Sequence, residues 1–151
     1  MVIAVRKMLD SELGWANAHY AEIGFVAAAE TDLVVVAEVD GVRAGLGRLV
    51  PVAADIGELG GIYVLPQFRG KAVARAIVAW LIEHSPYDRL FCIPFAHLDR
   101  FYAGFGFAPV SPEAAVPPAI SGKRRWCEQR YPDGVKLLVR EARAHGRNEP
   151  Q

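Results

Sequence analysis

"VLPQFRGKAVARAIVAW", residues 64–80, joins the end of an apolar strand to a long apolar helical pattern. The chain turns at Pro66 and passes through Gly70, which lies between two cations, before that pattern begins. A strand that enters a helix through a glycine leaves unpaired backbone N–H groups at the positive end of the helix dipole. The sequence therefore predicts an anion-binding turn here, and phosphate is the anion that such turns prefer.

The charged side chains of the turn support the same prediction. Arg69, Lys71 and Arg75 place positive charge on or next to it, and Gly70 has no Cβ to block a close approach. An ordinary strand-to-helix turn with solvated charges explains the same residues. Both interpretations stay open on this stretch alone.

Two other phosphate-binding motifs fail on spacing. A P-loop requires a glycine and a Ser or Thr at the two positions where this chain has Leu65 and Ala72. A dinucleotide fingerprint that starts at Gly45 and Gly47 has Val50 in place of its third glycine and lies within a predicted strand. We interpret these two glycines as marking a bulge or close packing.

The rest of the chain is assigned from hydrophobic period and turn residues. Asp40–Gly41, between the apolar runs 33–39 and 42–52, predicts a hairpin, because Asp-Gly accommodates the positive φ angles of a tight turn. The other predicted elements are a strand at 2–6, a helical region opened by Asp10 and Glu12 and broken up by Gly14 and Gly24, a strand at 56–65, a helix at 71–84, a strand at 89–95, a short helix at 97–105, a Pro-rich connection at 111–118, a helical stretch at 123–131 and a last strand at 134–140. The run from 56 to 95 predicts a βαβ unit.

Composition limits the classes of function. The 151 residues predict one domain over 1–140, with a polar tail over 141–151. Seventeen basic and seventeen acidic side chains cancel, which argues against a nucleic-acid partner, although the basic stretch 123–130 keeps an RNA-directed protein as a weaker alternative. No apolar run predicts a signal peptide or a membrane span, so we expect a cytoplasmic protein without a membrane partner.

The cysteines and histidines predict neither a disulfide nor a metal. Cys92 and Cys127 lie far apart and neither belongs to a C-x-x-C motif. The four histidines are scattered, without the H-E-x-x-H spacing or a comparable one. We expect two free thiols and no metal.

Two segments carry a resemblance to a known family. "VLPQFRGKAVA" (64–74) resembles the V-x-P-x-x-R-G-x-G-x-A segment of the GNAT superfamily of acyl-CoA N-acyltransferases, and "FYAGFGFAPV" (101–110) resembles its F-Y-x-x-x-G-F segment. The resemblance implies an α+β fold: a GNAT-like mixed, mostly antiparallel central sheet flanked by helices, with a βαβ acyl-CoA-binding core. It also implies acetyl-CoA as cosubstrate, with its pyrophosphate held by the turn.

The sequence departs from the family pattern at two positions. Ala72 stands where the family usually has its second glycine, and Phe95 stands where many members place an asparagine that contacts the coenzyme. Alanine keeps its backbone N–H and favours a helix by about 1 kcal/mol over glycine, so coenzyme binding is expected to survive the first change. The second change, Phe95 in place of asparagine, removes one side-chain contact with the coenzyme.

The resemblance assigns roles to individual residues. It implies that acyl-CoA is bound by the strand end and the turn, which comprise Ile62, Tyr63, Val64, Arg69, Gly70, Lys71, Ala72, Val73, Ala74 and Arg75. Tyr102 matches the position that donates a proton to the departing thiolate, with a core tyrosine as the alternative. An alkylammonium with a pKa of about 10.4 must lose a proton before it attacks, and Glu58 is our candidate base, with a water chain or a surface glutamate as the alternatives. Gly60–Gly61 predicts a bulge in the same strand.

The expected function is N-acetyl transfer from acetyl-CoA to a primary amine of an unidentified small molecule or peptide, by direct attack in a ternary complex. The alternative is a non-catalytic domain that binds coenzyme A or acetyl-CoA as a regulator. Trp15, His19, Tyr20 and Phe25 fall in the region that lines the acceptor site in the family, and they fit a simple core equally well. A homodimer and the role of residues 111–131 are left open.

Overall fold

The computed structural model describes residues 1–142 and contains, within them, seven strands and four α-helices. The strands are β1 (Ile3–Lys7), β2 (Leu33–Val39), β3 (Val42–Ala53), β4 (Ile56–Val64), β5 (Arg89–Cys92), β6 (Ala108–Pro109) and β7 (Leu138–Glu141). The helices are α1 (Leu13–Glu22), α2 (Val73–Glu83), α3 (Asp99–Ala103) and α4 (Pro118–Arg130), and short 3₁₀ helices span Asp10–Glu12, Pro66–Phe68 and Ala96–Leu98.

The strands form one mixed sheet in the hydrogen-bonded order β1-β2-β3-β4-β5-β7-β6. The pairs β1–β2, β2–β3, β5–β7 and β6–β7 are antiparallel, whereas β4–β5 is parallel. A parallel pair needs a crossover, and α2 supplies it as the helix of the βαβ unit. The predicted α+β class and mostly antiparallel sheet are confirmed.

The β2–β3 hairpin forms as its turn residues predict. Asp40 and Gly41 have φ angles of 50° and 82°, the pair of positive values that a two-residue turn matched to strand twist requires. The register shifts between Ala37 and Glu38, so the hairpin contains an irregularity opposite the glycine-rich part of β3.

Gly45 and Gly47 allow α2 to lie close against β3, as the close-packing interpretation predicted. A Cβ added to Gly45 would lie 2.8 Å from the carbonyl oxygen of Tyr63, and one added to Gly47 would lie 2.6 Å from Cγ2 of Ile77. Both distances are shorter than real Cβ contacts, so larger residues would force the helix or the neighbouring strand away.

The chain groups into two compact units, of which the first comprises Met1–Val50 and Leu59–Ser85. Helix α2 buries one stripe of its surface at helical spacing, consisting of Val73, Ile77, Val78 and Leu81. Helix α1 contributes Ala16 and Tyr20 to a second buried cluster with Leu46 of β3. These two sets of apolar contacts fix both helices within the unit.

The second unit comprises Pro51–Glu58 and the described residues from Pro86 onward. Within it, the first residues of β4 pair with β5 in register Ile56 to Arg89. Its buried cluster joins Phe91 of β5, Ile120 of α4 and Leu137 before β7. Helix α4 therefore begins at Pro118, five residues before the predicted helical stretch, because Ile120 belongs to the apolar core.

Several predicted boundaries are wrong. Gly14 does not interrupt α1, because it lies on an open surface of the helix and its cost is only about 1 kcal/mol. The strand predicted to run to residue 95 ends at Cys92, shortly before Pro94, which has no N–H to donate. The predicted 97–105 helix is a 3₁₀ turn followed by the five-residue α3, and the last strand begins at Leu138 rather than 134.

Strand β6 was not predicted, because two residues are too few to show alternation. The predicted tail starts at Glu141, which is the last residue of β7, and residues 143–151 lie outside the described residues. Within residues 1–142, no helix has both the length and the apolar character needed to cross a membrane.

Candidate active site

The turn between β4 and α2 has an unusual backbone. Gly70 and Ala72 have φ angles of 79° and 66°, both in the left-handed region. Such a conformation costs a residue with a Cβ about 1 kcal/mol or more, so Ala72 is strained where the family motif has glycine. Ala72 lies at the N-cap, outside the helix, so the predicted gain in helix stability over glycine does not apply to it.

Helix α2 has no capping side chain at this end. Its first intrahelical bond runs from the N–H of Ala76 to the carbonyl of Ala72 at 3.1 Å. The N–H groups of Val73 and Ala74 precede that bond and point out of the first turn, as in any helix start. Arg69, Gly70, Lys71 and Ala72 are all exposed. The turn is therefore exposed and leads into an uncapped helix, and its binding of an anion stays a prediction.

The Arg69 side chain makes two contacts within the protein. Its Nε donates to the carbonyl oxygen of Val64 at 3.0 Å, and its Cζ lies 5.6 Å from the centre of the Tyr63 ring. Arg69 therefore folds back along the end of β4, which places a guanidinium beside the strand residues that the resemblance assigns to acyl-CoA.

Strand β4 is irregular at the predicted bulge. Gly61 has a φ of 60°, far from extended values, and its carbonyl oxygen accepts a hydrogen bond from the Tyr20 hydroxyl at 2.8 Å. A Cβ on Gly61 would lie 2.6 Å from that hydroxyl oxygen and 2.9 Å from Nε of Arg48. Glycine is required here both by conformation and by the close approach of these two side chains.

Tyr102 lies in α3 within the second unit and is 6% exposed. Its ring contacts Phe101 and Phe107 edge to face, with centroid distances of 5.0 and 5.9 Å. Burial raises the pKa of the Tyr102 phenol above its usual range, and nearby Cys92 raises it further. Tyr102 is therefore a neutral phenol at physiological pH, which is the form that can donate a proton.

Glu58 is also in the second unit, and it is buried rather than on the surface. Its Oε2 accepts a hydrogen bond from Nζ of Lys123 at 2.5 Å. Lys123 belongs to α4 and is separated from Glu58 by 65 residues, so no local sequence signal could have identified this pair.

The basic stretch of α4 is mostly engaged within the protein. Besides Lys123, Arg124 pairs with Glu128 at 3.3 Å, and the guanidinium of Arg130 lies 4.8 Å from the centre of the Trp126 ring.

Neither cysteine is activated. Burial raises the pKa of Cys92 above its usual range, and the nearby carboxylate of Glu58 raises it further. Burial also raises the pKa of Cys127. A thiol with a raised pKa is a poor nucleophile at neutral pH. Among residues 1–142, no group of three or more His, Cys, Asp or Glu side chains is arranged to hold a metal ion.

The four aromatic residues predicted near the acceptor site, Trp15, His19, Tyr20 and Phe25, separate into two environments. Tyr20 is fully buried and contacts Phe25 with a centroid distance of 6.1 Å, so this pair belongs to the core. Trp15, His19 and Tyr63 are half-buried and form a row, with ring centroids 4.9 and 5.8 Å apart.

The sequence did not predict the environment of two charged residues of the first unit. Arg48 and Asp32 are both buried, and they form a loose ion pair. The residues next to them in sequence do not predict this burial. Arg48 lies within strand β3, and Asp32 lies at the end of a loop.

Residues 30–109, just over half of the chain, match the family model described as Acetyltransferase (GNAT) domain. The chain belongs to the GNAT acetyltransferase family. Membership makes it an acyl-CoA-dependent N-acyltransferase by class. No curated protein matches the GNAT chain significantly.

Solved structures show the same GNAT fold at low identity. N-Acetylglutamate synthase from Neisseria gonorrhoeae, complexed with coenzyme A and N-acetyl-glutamate, is 20% identical with a TM-score of 0.69, and the match covers 95% of this chain but only 36% of the synthase. Rv2747 from Mycobacterium tuberculosis, in complex with CoA and NLQ, is 19% identical with a TM-score of 0.68, covering 93% and 99% of the two chains. The ribosomal-protein-S18-alanine N-acetyltransferase from Escherichia coli is 15% identical with a TM-score of 0.66, covering 99% and 100%.

Proposed function

We propose that the chain transfers an acetyl group from acetyl-CoA to a primary amine of a small molecule or peptide, by direct attack in a ternary complex. The observation that carries the proposal is the exposed turn Arg69–Ala72, which leads into an uncapped helix through two left-handed residues. Backbone N–H groups at such a turn, with the helix dipole behind them, match the oxygens of a pyrophosphate.

The same proposal assigns the neighbouring residues. Lys71 and Arg75 supply positive charge near the turn, and Val73 and Ala74 supply helix N–H groups. The strand end Ile62–Val64 is assigned to the acyl-CoA chain, and the Arg69 guanidinium beside it adds a cation at the same end. The strain of Ala72 fits this role, because unfavourable backbone conformations persist mainly where function requires them.

Tyr102 is proposed as the proton donor to the departing thiolate. Its raised pKa keeps the hydroxyl protonated, and its aromatic neighbours hold the ring in one orientation. The thiolate of coenzyme A is a moderate leaving group, with a thiol pKa of about 8.5, so a donor assists its departure without being indispensable.

Glu58 is proposed as the base that removes a proton from the substrate ammonium, so that the neutral amine can attack the thioester. Only its Oε2 is bound by Lys123, and Oε1 makes no hydrogen bond within residues 1–142. Water can connect a buried carboxylate of this kind to an amine, so the water-chain alternative remains part of the proposal. The raised pKa values of both cysteines support direct attack without a thioester on the protein.

The acceptor is proposed from chemistry shared by the structural relatives. The N-acetylglutamate synthase is described with N-acetyl-glutamate in one complex and with L-arginine in another, which supports a small molecule. The S18-alanine N-acetyltransferase supports a peptide acceptor. We place the reaction in the cytoplasm, with neither a membrane nor a nucleic acid as partner.

A second candidate function is coenzyme A binding without efficient transfer. Two observations favour it: Oε2 of Glu58 is already engaged by Lys123, and Phe95 packs edge to face on Tyr131 at 5.0 Å where the family asparagine would contact the coenzyme. In both functions the turn Arg69–Ala72 binds the coenzyme, and the two differ only in whether the acetyl group is transferred efficiently.

Two measurements test the proposal. A ligand that binds only the native state raises its stability, by about 2.7 kcal/mol at a hundred times its dissociation constant, so acetyl-CoA should raise the melting temperature by about 5 °C or more. Thiol release over a panel of amines then separates transfer from binding alone. A melting temperature unmoved by millimolar acetyl-CoA would overturn both functions, and a shift without thiol release for any amine would favour the second.

A further inference from the structure

Arg48 is a buried cation whose hydrogen-bonding capacity is unused. Its side chain is 6% exposed and the Asp32 side chain is 4% exposed, yet Nη1 of Arg48 lies 3.8 Å from Oδ2 of Asp32, which is too far for a hydrogen bond. A guanidinium has five N–H donors. Within residues 1–142, no hydrogen bond donated by Arg48 is found, and the buried side-chain atoms without a partner include Oδ1 of Asp32 beside it.

The carboxylate beside it is only half satisfied. Oδ2 of Asp32 accepts a hydrogen bond from the N–H of Ala29 at 2.9 Å, whereas Oδ1 is buried without any partner. The pair therefore has spare donors on one member and a spare acceptor on the other. A bond between them at normal distance would satisfy both, and the geometry does not form it.

The surroundings hold the Arg48 guanidinium in place. Its Cζ lies 4.4 Å from the centre of the Tyr20 ring, and its Nε lies beside Gly61 of β4. Tyr20 is itself fixed by its hydrogen bond to the Gly61 carbonyl. Gly61 immediately precedes Ile62–Val64, which the proposed function assigns to acyl-CoA. The cation is thus held next to the strand segment on which transfer is proposed to occur.

We propose that Arg48 binds a carboxylate of the acceptor, so that the substrate class is an amine that also carries a carboxylate, as an amino acid does. This inference rests on the proposed function. A carboxylate offers two oxygens to the guanidinium in a bidentate arrangement, which is the geometry that arginine recognises best. A phosphate dianion fits less well, because Asp32 already places one negative charge beside the cation.

Asp32 has a positioning role in this arrangement. It holds Arg48 from one side while leaving its donors available, and its charge opposes a second anion. Removing that charge should therefore strengthen carboxylate binding, whereas removing Arg48 should abolish it. A purely structural ion pair predicts the same sign for both changes, because each leaves its partner buried and alone.

Asp32 belongs to the loop between α1 and β2. This loop has no helix or strand, and Ala28 in it is tied to α1 by a hydrogen bond from its N–H to Oδ1 of Asn17 at 2.8 Å.

The test uses matched acceptors. The L-amino acids and their α-carboxamides differ only in the charged group, and thiol release from acetyl-CoA is measured for each pair. We expect at least one acid to exceed its amide in kcat/KM by about 10- to 100-fold, the range of a hydrogen-bonded charge. If no acid is preferred over its amide, the carboxylate assignment is wrong.

Three variants locate the effect. Arg48→Met should raise KM for the preferred acid about 10-fold or more while leaving its amide within about 3-fold, and Arg48→Lys should restore part of the loss. Asp32→Asn should lower KM for the acid. Arg43→Met is the control, because Arg43 is a half-exposed cation on the same strand, over Trp15. Equal losses for acid and amide in Arg48→Met, or a rise in KM in Asp32→Asn, would overturn the inference.

Coenzyme binding distinguishes this inference from the proposed function. Acetyl-CoA affinity, measured by calorimetry, should change less than about 2-fold in Arg48→Met. If the wild-type protein binds no acetyl-CoA, the proposed function fails by itself. Arg48 is then judged by thermal stabilisation with N-acetyl amino acids against their amides: a preference for the acid that Arg48→Met removes supports the site, and its absence rejects it.

Discussion

Two turns of the first unit have similar left-handed residues and opposite surroundings. In the hairpin turn, Asp40 and Gly41 have φ angles of 50° and 82°, and in the turn before α2, Gly70 and Ala72 have 79° and 66°. The hairpin turn is closed by the chain itself, because Oδ1 of Asp40 accepts from the N–H of Val2 at 2.7 Å and the N–H of Asp40 donates to the carbonyl of Val2 at 2.8 Å. The other turn leads into an uncapped helix.

The difference shows how to separate structural from ligand-binding features in this protein. Left-handed residues alone do not indicate a ligand, because the hairpin has them and satisfies its own polar groups. The same contrast recurs between two arginines. Arg6 donates to Glu12 at 2.8 and 2.9 Å and to Glu38 at 2.9 and 3.2 Å, whereas Arg48 donates no hydrogen bond within residues 1–142. Ligands are therefore expected where polar groups of the protein remain unpaired.

The largest expected effect separates the two turns directly. Gly70→Asp should reduce acetyl-CoA affinity by about 100-fold or more, because a carboxylate at the turn repels the pyrophosphate at close range. Gly41→Asp is the matched control: both glycines have positive φ and open space where a Cβ would lie, so the two variants carry similar backbone strain. Calorimetric titration with coenzyme A measures the affinity. Equal affinities in the two variants would place the anion site elsewhere.

The second effect compares two tyrosines of the second unit. Tyr102→Phe should lower kcat about 100-fold, the lower end of general-acid assistance, with coenzyme affinity unchanged. Tyr131→Phe removes a hydroxyl from a ring that packs on Phe95, and we expect kcat within about 2-fold of wild type. The rates are measured at saturating acetyl-CoA, after a burst experiment has shown that chemistry limits turnover. Wild-type kcat in Tyr102→Phe would make this tyrosine a packing residue.

The turn and Tyr102 could both be assigned from the sequence, but other parts of the site could not. Local signals sufficed for the hairpin at Asp40–Gly41 and for the β4–α2 turn, because glycine position and apolar period specify both. The Glu58–Lys123 pair joins residues 65 apart in sequence, so only the tertiary fold reveals it. The left-handed conformation of Ala72 was missed because alanine normally indicates helix.

A smaller effect concerns Glu58. Glu58→Gln keeps the size of the side chain but removes the base, and we expect kcat to fall about 10-fold near neutral pH. The loss should grow at lower pH, where free amine is scarcest and the base is needed most. Lys123 is half-exposed, so water can solvate it when its partner loses charge. The pH–rate profile from 6 to 9 provides the measurement, and identical profiles for the two proteins would transfer the role to water.

The smallest effect on turnover is expected at Glu12, a carboxylate that accepts hydrogen bonds from several groups. Its oxygens accept hydrogen bonds from Arg6 and from the N–H of Leu9, and Arg43 lies 3.5 Å away. The hydrogen bond from Arg6 is the main cause that lowers the pKa of Glu12 from an ordinary 4.5 to about 2. Glu12→Gln should leave kcat within about 2-fold, because no ligand uses this group. It should lower the free energy of unfolding by about 2 kcal/mol at pH 7, or the melting temperature by about 4–8 °C.

The pH dependence of that loss identifies its origin. A carboxyl group whose pKa is lower in the folded state stabilises the fold above its unfolded pKa, and that stability disappears as pH falls through the folded value. For Glu12 the stabilisation should be complete above about pH 5.5 and should decline between pH 4.5 and 2. The difference in melting temperature between wild type and Glu12→Gln should therefore narrow across that window, because glutamine has no proton to gain. A difference that stays constant down to pH 3 would mean that lost packing, rather than the ion pair with Arg6, causes the destabilisation.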